Sequence, residues 1–161
     1  MTGRRGFSLI ELILVLFLIG LIAGLVTPFL ISTLDRTKSQ SEVRKIASTL
    51  RYARNQAISQ KIPFAFAANI DDNRYWITPL NSNETSRFFS LGPEIRIAQF
   101  VFQEETIVHG SFSIVFYPQG SSSGGSIDLE TKGAGKASVL YSITLDPVTG
   151  KPLIDEQAAG R

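Results

Sequence analysis

Residues 7–31 read FSLIELILVLFLIGLIAGLVTPFLI, a stretch that is almost entirely apolar and carries one carboxylate, Glu11. Its central part, Leu12–Val26, contains no polar side chain. As a helix, the stretch is long enough to span a hydrocarbon core about 30 Å thick. A charged side chain in hydrocarbon costs roughly 3 kcal/mol or more. Glu11 therefore indicates a function that supplies a specific partner for the charge.

The residues before this stretch are polar and basic, with Arg4 and Arg5 just ahead of Gly6. Because cationic residues remain on the cytoplasmic side of a membrane, they predict that the helix begins there. A secretory signal peptide would need a small-residue cleavage site after its apolar region, and no A-x-A site follows. A plain membrane anchor explains the length of the stretch but does not explain Glu11.

A third interpretation rests on the string GFSLIEL at residues 6–12, followed by a long apolar helix. This string resembles the class III signal of type IV pilins and type II secretion pseudopilins. The resemblance implies that a prepilin peptidase cuts between Gly6 and Phe7 and N-methylates Phe7. It also implies that Glu11 neutralises the N-terminal amine of a neighbouring subunit in a filament. The pairing is physically reasonable because a buried carboxylate and a buried ammonium are each tolerated only when paired.

Two further expectations concern this helix. Before assembly, Glu11 can instead extend toward the cytoplasmic headgroups, since it lies near the start of the helix. Pro28 removes a helical hydrogen bond and clashes with the preceding turn, so we expect a kink or local melting near Gly24–Pro28.

The pattern divides the chain into four parts: a leader at 1–6, a transmembrane or filament-core helix at 7–34, an amphipathic helix at 35–61, and a β-rich domain at 62–161. The amphipathic part carries apolar residues at spacings of three and four, a stripe suited to lie across a sheet. Its members are Val43, Ile46, Ala47, Leu50, Ala53, Ala57 and Ile58. Pro63 ends the helical pattern.

Past Lys61 the apolar residues follow a period of two, which indicates strands. We predict seven, at Ile62–Ala68, Tyr75–Pro79, Phe88–Leu91, Ile95–Phe102, Phe112–Tyr117, Ser126–Glu130 and Ala137–Leu145. Residues 71–73 and 132–136 are predicted hairpin turns. A long helix followed by short strands predicts an α+β fold with antiparallel sheets. The resemblance of the N-terminal string implies that this fold is pilin-like, with the helix packed on the sheets.

Three later segments narrow the resemblance to one branch of these families. The string LRYARNQAI at residues 50–58 looks like the helix signature of the GspH/FimT-type pseudopilin domain. The strings FYPQG at 116–120 and DPVTGK at 146–151 are similar to that family's later motifs. Together with the leader, the likeness covers most of the chain. From the residues alone, the two later strings are turns that close strands.

Charge and composition exclude several classes of protein. The chain has no cysteine, which excludes disulfides and cysteine-based zinc sites. Residues 35–61 are rich in lysine and arginine, whereas residues 62–161 carry more acids than bases. We interpret the basic helix face as a solvated surface that meets headgroups or neighbouring subunits. Binding to nucleic acid would need further cationic surface, which the acidic balance of the domain does not offer.

The sequence features that could indicate an enzyme active site or a metal site are weak. Residues 120–124 read GSSSG and formally match a nucleophile elbow, but a strand rather than a helix follows and the single histidine, His109, precedes the serines. We therefore predict a flexible loop at 120–125 and an ordinary surface role for His109. Asp71 and Asp72 are carboxylates of the kind that bind calcium together with nearby carbonyls, but two acids in a hairpin are usually part of the turn. We expect no catalytic residue, metal or cofactor, and regard the chain as a substrate of the peptidase.

The resemblance thus implies a minor pseudopilin of the type II secretion system, closest to the H type. It would cross the bacterial inner membrane once, with a cytoplasmic N-terminus and a periplasmic domain, and enter the pseudopilus near its tip. The implied partners are the other major and minor pseudopilins, the prepilin peptidase and the inner-membrane assembly platform. The alternative is a FimT-like minor type IV pilin that serves pilus assembly or DNA uptake.

Overall fold

The computed structural model describes the backbone of residues 8–80, 88–131 and 139–158, and the side chains of 8–24, 37–80, 88–131 and 139–156. The chain divides into two compact units, Met1–Thr37 and Lys38–Arg161. The first unit contains the start of the long helix α1, Leu9–Gln60. The second contains the rest of α1 and the nine strands that the structure describes.

Within the second unit, α1 buries the face that the sequence predicts. Its buried apolar residues are Val43, Ile46, Ala47, Leu50, Ala53 and Ala57. The prediction is wrong for Ile58, which is 40% exposed, because this residue lies on the flank of the buried stripe rather than on its centre. The helix ends at Gln60, and Lys61 takes a left-handed φ of 56° before Pro63. A left-handed residue and a following proline are common terminators of helices.

The strands form two antiparallel sheets. Sheet A has the order β3-β2-β1-β6, and sheet B has the order β5-β4-β7-β8-β9. Their bounds are β1 Phe64–Asn69, β2 Arg74–Pro79, β3 Phe88–Ser90, β4 Ile95–Phe102, β5 Glu105–Ile107, β6 Ser111–Phe116, β7 Gly125–Thr131, β8 Val139–Leu145 and β9 Pro152–Ala158. The α+β prediction and the seven predicted strands are confirmed; β5 and β9 were not predicted.

Two of the hairpin turns were predicted. The turn at residues 71–73 joins β1 to β2, as expected. The turn predicted at 132–136 lies outside the described residues, although β7 and β8 on either side of it pair antiparallel.

The two sheets share one core and are joined at their ends by side chains. Phe100 of β4 stacks on Phe112 of β6 with ring centroids 4.2 Å apart, so an aromatic pair crosses from sheet B to sheet A. Asn73 lies in the β1–β2 turn with φ at 53°. Its amide nitrogen donates to Ile95 O at 2.9 Å, and its amide oxygen accepts from Ile97 N at 3.0 Å. Asn73 therefore ties the β1–β2 hairpin to β4.

Candidate functional site

The described N-terminal part of α1 is an apolar surface exposed along its whole length. Every described side chain from Ser8 to Gly24 is exposed, including Leu9 at 77% and Phe17 at 65%. Ser8 begins the helix by accepting from Glu11 N at 3.1 Å and from Leu12 N at 3.2 Å. Glu11 lies in the first turn, where a carboxylate interacts favourably with the helix dipole. A surface this apolar needs lipid or other protein to cover it.

Several predicted features fall at or beyond the limits of the described residues. Gly6 and Phe7, the predicted cleavage and methylation positions, lie outside them. α1 continues through Pro28, so the proline does not end the helix, but the side chains of 25–36 are not described. Over the described residues, no helix combines the length and the apolar character that crossing a membrane requires.

In the second unit, one arginine brings the three later sequence motifs together. Nε of Arg54, in α1, donates to Thr149 O at 2.7 Å and to Gly120 O at 3.0 Å. Gly120 belongs to the turn after β6, and Thr149 belongs to the turn between β8 and β9. We call this arrangement of Arg54 with the two carbonyl oxygens the Arg54 clasp. It ties the helix to the ends of both sheets.

The turn between β8 and β9 is preorganised for the clasp. The Asp146 carboxylate accepts from Val148 N at 2.8 Å and from Thr149 N at 3.3 Å, while Gly150 N donates to Asp146 O at 2.8 Å. The two backbone N–H groups, first that of Val148 and then that of Thr149, lower the pKa of Asp146 below its ordinary value. The turn therefore holds Thr149 O in place for Arg54 and presents Val148 to solvent, 78% exposed.

The serine loop after β6 is fixed by hydrogen bonds, so the prediction of a flexible loop is wrong. Ser122 is buried; its N–H donates to Pro147 O at 2.9 Å and its hydroxyl donates to Asp146 O at 3.2 Å. Ser123 N donates to Val115 O at 2.8 Å, and Val115 N donates to the Ser123 hydroxyl at 3.1 Å. Short hydroxyl side chains that bond to nearby backbone explain this order. The loop covers the free edge of β6 and joins it to the β8–β9 turn.

His109 contacts a carboxylate at the end of sheet A opposite to the serine loop. It shares no hydrogen bond with Ser122 in the described structure. Its Nδ1 lies 3.0 Å from Asp71 Oδ1, and Asp71 Oδ2 accepts from Gly110 N at 2.8 Å. The His109 hydrogen bond, followed by that of Gly110, lowers the pKa of Asp71. Since both carboxylate oxygens of Asp71 are engaged within the hairpin loops, Asp71 acts as a turn residue. Over the described residues, no group of three metal-ligating side chains comes together.

The basic residues of α1 in the second unit differ in their pairing. Lys38 lies 3.7 Å from Glu94, and Lys45 lies 3.7 Å from Glu42. Arg54 is used in the clasp. Arg44 and Arg51 are exposed, and neither has an ion-pair partner among the side chains that the structure describes.

Removing the guanidinium of Arg54 is expected to loosen the globular unit. Arg54→Met keeps the aliphatic stem but leaves Gly120 O and Thr149 O without their donor. The expected loss is about 1–2 kcal/mol of unfolding free energy, because Arg54 is only half-buried. Chemical denaturation of the detergent-solubilised chain measures it. Arg51→Met, on the same helix but exposed, is the matched control and should change stability by less than about 0.5 kcal/mol. Equal losses in the two variants would contradict the clasp.

The comparisons with known proteins agree with the sequence motifs. Residues 42–149 match the family described as Type II transport protein GspH. Residues 1–27 match the prokaryotic N-terminal methylation motif. The Type II secretion system protein H of Xanthomonas campestris pv. campestris is 32% identical over 130 residues, which cover 81% of this chain and 73% of that protein.

Solved structures with low sequence identity share the fold. The minor pseudopilin EpsH of Vibrio cholerae superposes with a TM-score of 0.52 at 11% identity, covering 77% of this chain and 99% of that one. The type IV minor pilin FimU of Pseudomonas aeruginosa superposes with a TM-score of 0.53 at 17% identity, covering 74% and 90%. These likenesses do not separate pseudopilin from pilin, but the family match and the relative do. The chain belongs to the family of type II transport protein GspH.

Proposed function

We propose that the chain is made as a precursor, cut between Gly6 and Phe7 by a prepilin peptidase, N-methylated at Phe7, and assembled through its N-terminal helix into a periplasmic pseudopilus. The observation that carries this proposal is the exposed apolar surface of Ser8–Gly24 with Glu11 in its first turn. The match of residues 1–27 to the N-terminal methylation motif supports it. Such a helix is covered by lipid before assembly and by other helices after it.

The proposed location follows from the same segment. Residues 7–34 would form the membrane and filament-core helix, with Arg4 and Arg5 on the cytoplasmic side of the inner membrane. The globular unit would then lie in the periplasm. The absence of cysteine is compatible with an oxidising compartment, because the unit folds on its core and hydrogen bonds alone.

The proposed partners are the other major and minor pseudopilins, the peptidase and the inner-membrane assembly platform, with a position near the tip of the filament. We assign no catalytic step to the chain. The hydroxyl of the buried Ser122 in the serine loop donates to a backbone carbonyl, and His109 pairs with Asp71. Neither contact is the nucleophile–base pair that acyl-transfer chemistry needs.

The proposed role of Glu11 is to neutralise the methylated amine of a neighbouring subunit. In the filament core, removal of one member of a buried ion pair costs about 3–5 kcal/mol, since the other charge is left unpaired. Glu11→Ala is therefore expected to leave cleavage intact and to lower the fraction of the chain in the pseudopilus by roughly a hundredfold to a thousandfold. Intact mass reports cleavage, and co-sedimentation with pseudopili reports incorporation.

Two control variants accompany that test. Glu11→Asp keeps the carboxylate on a shorter side chain and should recover much of the incorporation. Glu42→Ala removes a carboxylate from the globular unit and should incorporate like the wild type. Wild-type incorporation of Glu11→Ala would refute the role assigned to Glu11, while leaving the cleavage site untouched.

A further inference from the structure

We propose that the free edge of β9, together with the flank of α1 that carries Arg44 and Arg51, docks an extended acidic segment of another pseudopilin. The segment would pair with β9 as a sixth strand of sheet B. This inference rests on the proposed function, because it requires that the chain be assembled beside other subunits.

β9 is an edge strand with nothing on its outer side among the described strands. It is the last strand of sheet B and pairs over seven residues with β8 alone. An edge strand presents alternate N–H and C=O groups that can pair with another chain. Leu153 and Ile154 are 65% and 44% exposed, on opposite faces of the strand. β9 thus offers both a backbone ladder and apolar contacts to an added strand.

The other sheet edges in the described part of the chain are less suited to this role. β3 and β5 have three residues each. The edge of β6 is covered by the serine loop, through the two hydrogen bonds between Val115 and Ser123. β9 is therefore the long, uncovered edge of the described sheets.

A crevice beside β9 gives the added strand a second wall. It lies between β9 and α1 and has a volume of about 180 Å³. Its lining is apolar at the base and charged at the rim: Gln40, Val43, Arg44, Tyr141, Ile154 and Glu156. Gln40 Nε2 lies 3.4 Å from Glu156 Oε2, whereas Arg54 contacts Thr149, so β9 runs antiparallel to α1. An added strand would lie along this flank of the helix.

The charge of the flank indicates an acidic partner. Arg44 lines the crevice. Arg51 follows it by two helical turns, roughly 10.5 Å along the same flank. Neither arginine has an ion-pair partner among the described side chains. Carboxylates at alternate positions of an extended segment are spaced by about 6.7 Å, within reach of two long arginine side chains. The segment should carry them on the face toward α1, beside Pro152 and Ile154.

The occupant is a different subunit rather than a second copy of this chain. Two copies of β9 paired antiparallel over their full length would place Asp155 directly opposite Asp155 of the other copy, and like charges directly opposite each other destabilise the pair. On the incoming strand, the position beside Glu156 should be neutral or basic for the same reason. The two acids of β9 thus discourage self-association. Because Glu156 lines the same crevice as Arg44, the carboxylates of the added segment belong beside Pro152 and Ile154.

The test uses a thiol placed on β9 in the complete secretion machine. Because the chain contains no cysteine, Leu153→Cys creates a unique thiol. Cells that carry the machine are treated with a bifunctional maleimide-photoreactive reagent, and the crosslinked peptide is identified by mass spectrometry. We expect a crosslink to an acidic segment of another pseudopilin. Thr106→Cys, on the opposite edge of sheet B, is the matched control and should not give that product. Asp155→Cys serves as a second probe if Leu153→Cys fails to fold.

The arginines are tested by charge reversal in the Leu153→Cys background. Arg44→Glu and Arg51→Glu should each lower the yield of the crosslink roughly tenfold. Lys45→Glu makes the same charge change on the next residue, which lines a groove on the other flank of α1, and should leave the yield unchanged. A crosslink to a second copy of the chain, or a yield sensitive to Lys45→Glu and not to Arg44→Glu, would overturn the docking site.

Incorporation into the pseudopilus separates this inference from the proposed function. If the chain co-sediments with pseudopili and Leu153→Cys gives no crosslink to another pseudopilin, the docking site is wrong and the proposed function stands. If the chain does not enter pseudopili at all, both the docking site and the proposed function are wrong.

Discussion

Gly150→Ala is expected to destabilise the globular unit by roughly 2–4 kcal/mol. A Cβ at this position would lie 2.5 Å from the carbonyl oxygen of Gly120 and 3.2 Å from the side chain of Arg54. The backbone oxygen cannot rotate away as a flexible side chain would, and φ at Gly150 is +62°. The added methyl group therefore strains the turn and pushes the two halves of the Arg54 clasp apart.

Thermal unfolding of the detergent-solubilised chain measures this loss. Trp76, the single tryptophan, lies in β2 with its ring centroid 5.2 Å from that of Phe88, so its fluorescence reports the unfolding of sheet A. The expected decrease in Tm is about 10 °C.

Gly110→Ala is the matched control for Gly150→Ala. Its φ is +80°, but an added Cβ would have no atom within 4 Å. Gly110→Ala should therefore lower the free energy of unfolding by about 1 kcal/mol, which is the cost of a left-handed φ for alanine without any steric clash. The difference between the two variants isolates the contact with Gly120. If Gly150→Ala were no worse than Gly110→Ala, the close approach of the two turns would be wrong.

The Arg54 clasp also shows what the sequence could and could not predict about the site. The strings at 50–58, 116–120 and 146–151 were identified separately, each as a helix or a turn. Their meeting point depends on which residue of α1 faces which strand end, and a single sequence does not carry that information. The available signal was the position of Arg54 on the border of the apolar stripe, where a long side chain can reach over the sheet edge.

Periodicity predicted the strands that have one buried face. β8 alternates between Tyr141, Ile143 and Leu145 toward the core and polar residues toward solvent, and it was found as expected. β5 has three residues that are mostly exposed, and the described part of β9 is exposed beyond its first residue. Neither strand buries an apolar face, so neither has a period of two to detect. Both are held by backbone pairing with a neighbouring strand.

The serine loop was predicted as flexible because its composition lacks apolar side chains. Its order comes from a different source. The hydroxyl of Ser122 forms a hydrogen bond with the backbone of the β8–β9 turn, and the hydroxyl of Ser123 forms one with the backbone of β6. Both partners lie outside the loop. Composition predicts where a core is absent, but it does not predict hydrogen bonds between separate turns.

Gly6→Val is expected to abolish maturation, the largest functional effect among the variants considered. The resemblance to the class III signal implies that the peptidase requires glycine before the cut, and a branched side chain would hinder the approach of its catalytic groups to the peptide bond. The chain should then keep residues 1–6 and migrate more slowly than the mature protein. Intact mass distinguishes the two forms, because the wild type should begin at methylated Phe7.

The consequence for assembly follows from charge. In the Gly6→Val precursor the nitrogen of Phe7 remains in a peptide bond, so it offers no ammonium to the Glu11 of a neighbour, and incorporation should fall with cleavage. Gly3→Val makes the same change elsewhere in the leader and should be cut and incorporated normally. A Gly6→Val chain that matures like the wild type would contradict the cleavage site. A wild-type chain that keeps its first six residues would contradict the proposed pairing as well. Without cleavage there is no N-terminal ammonium at Phe7, and burying the Glu11 carboxylate in a bundle of apolar helices would carry an uncompensated desolvation cost.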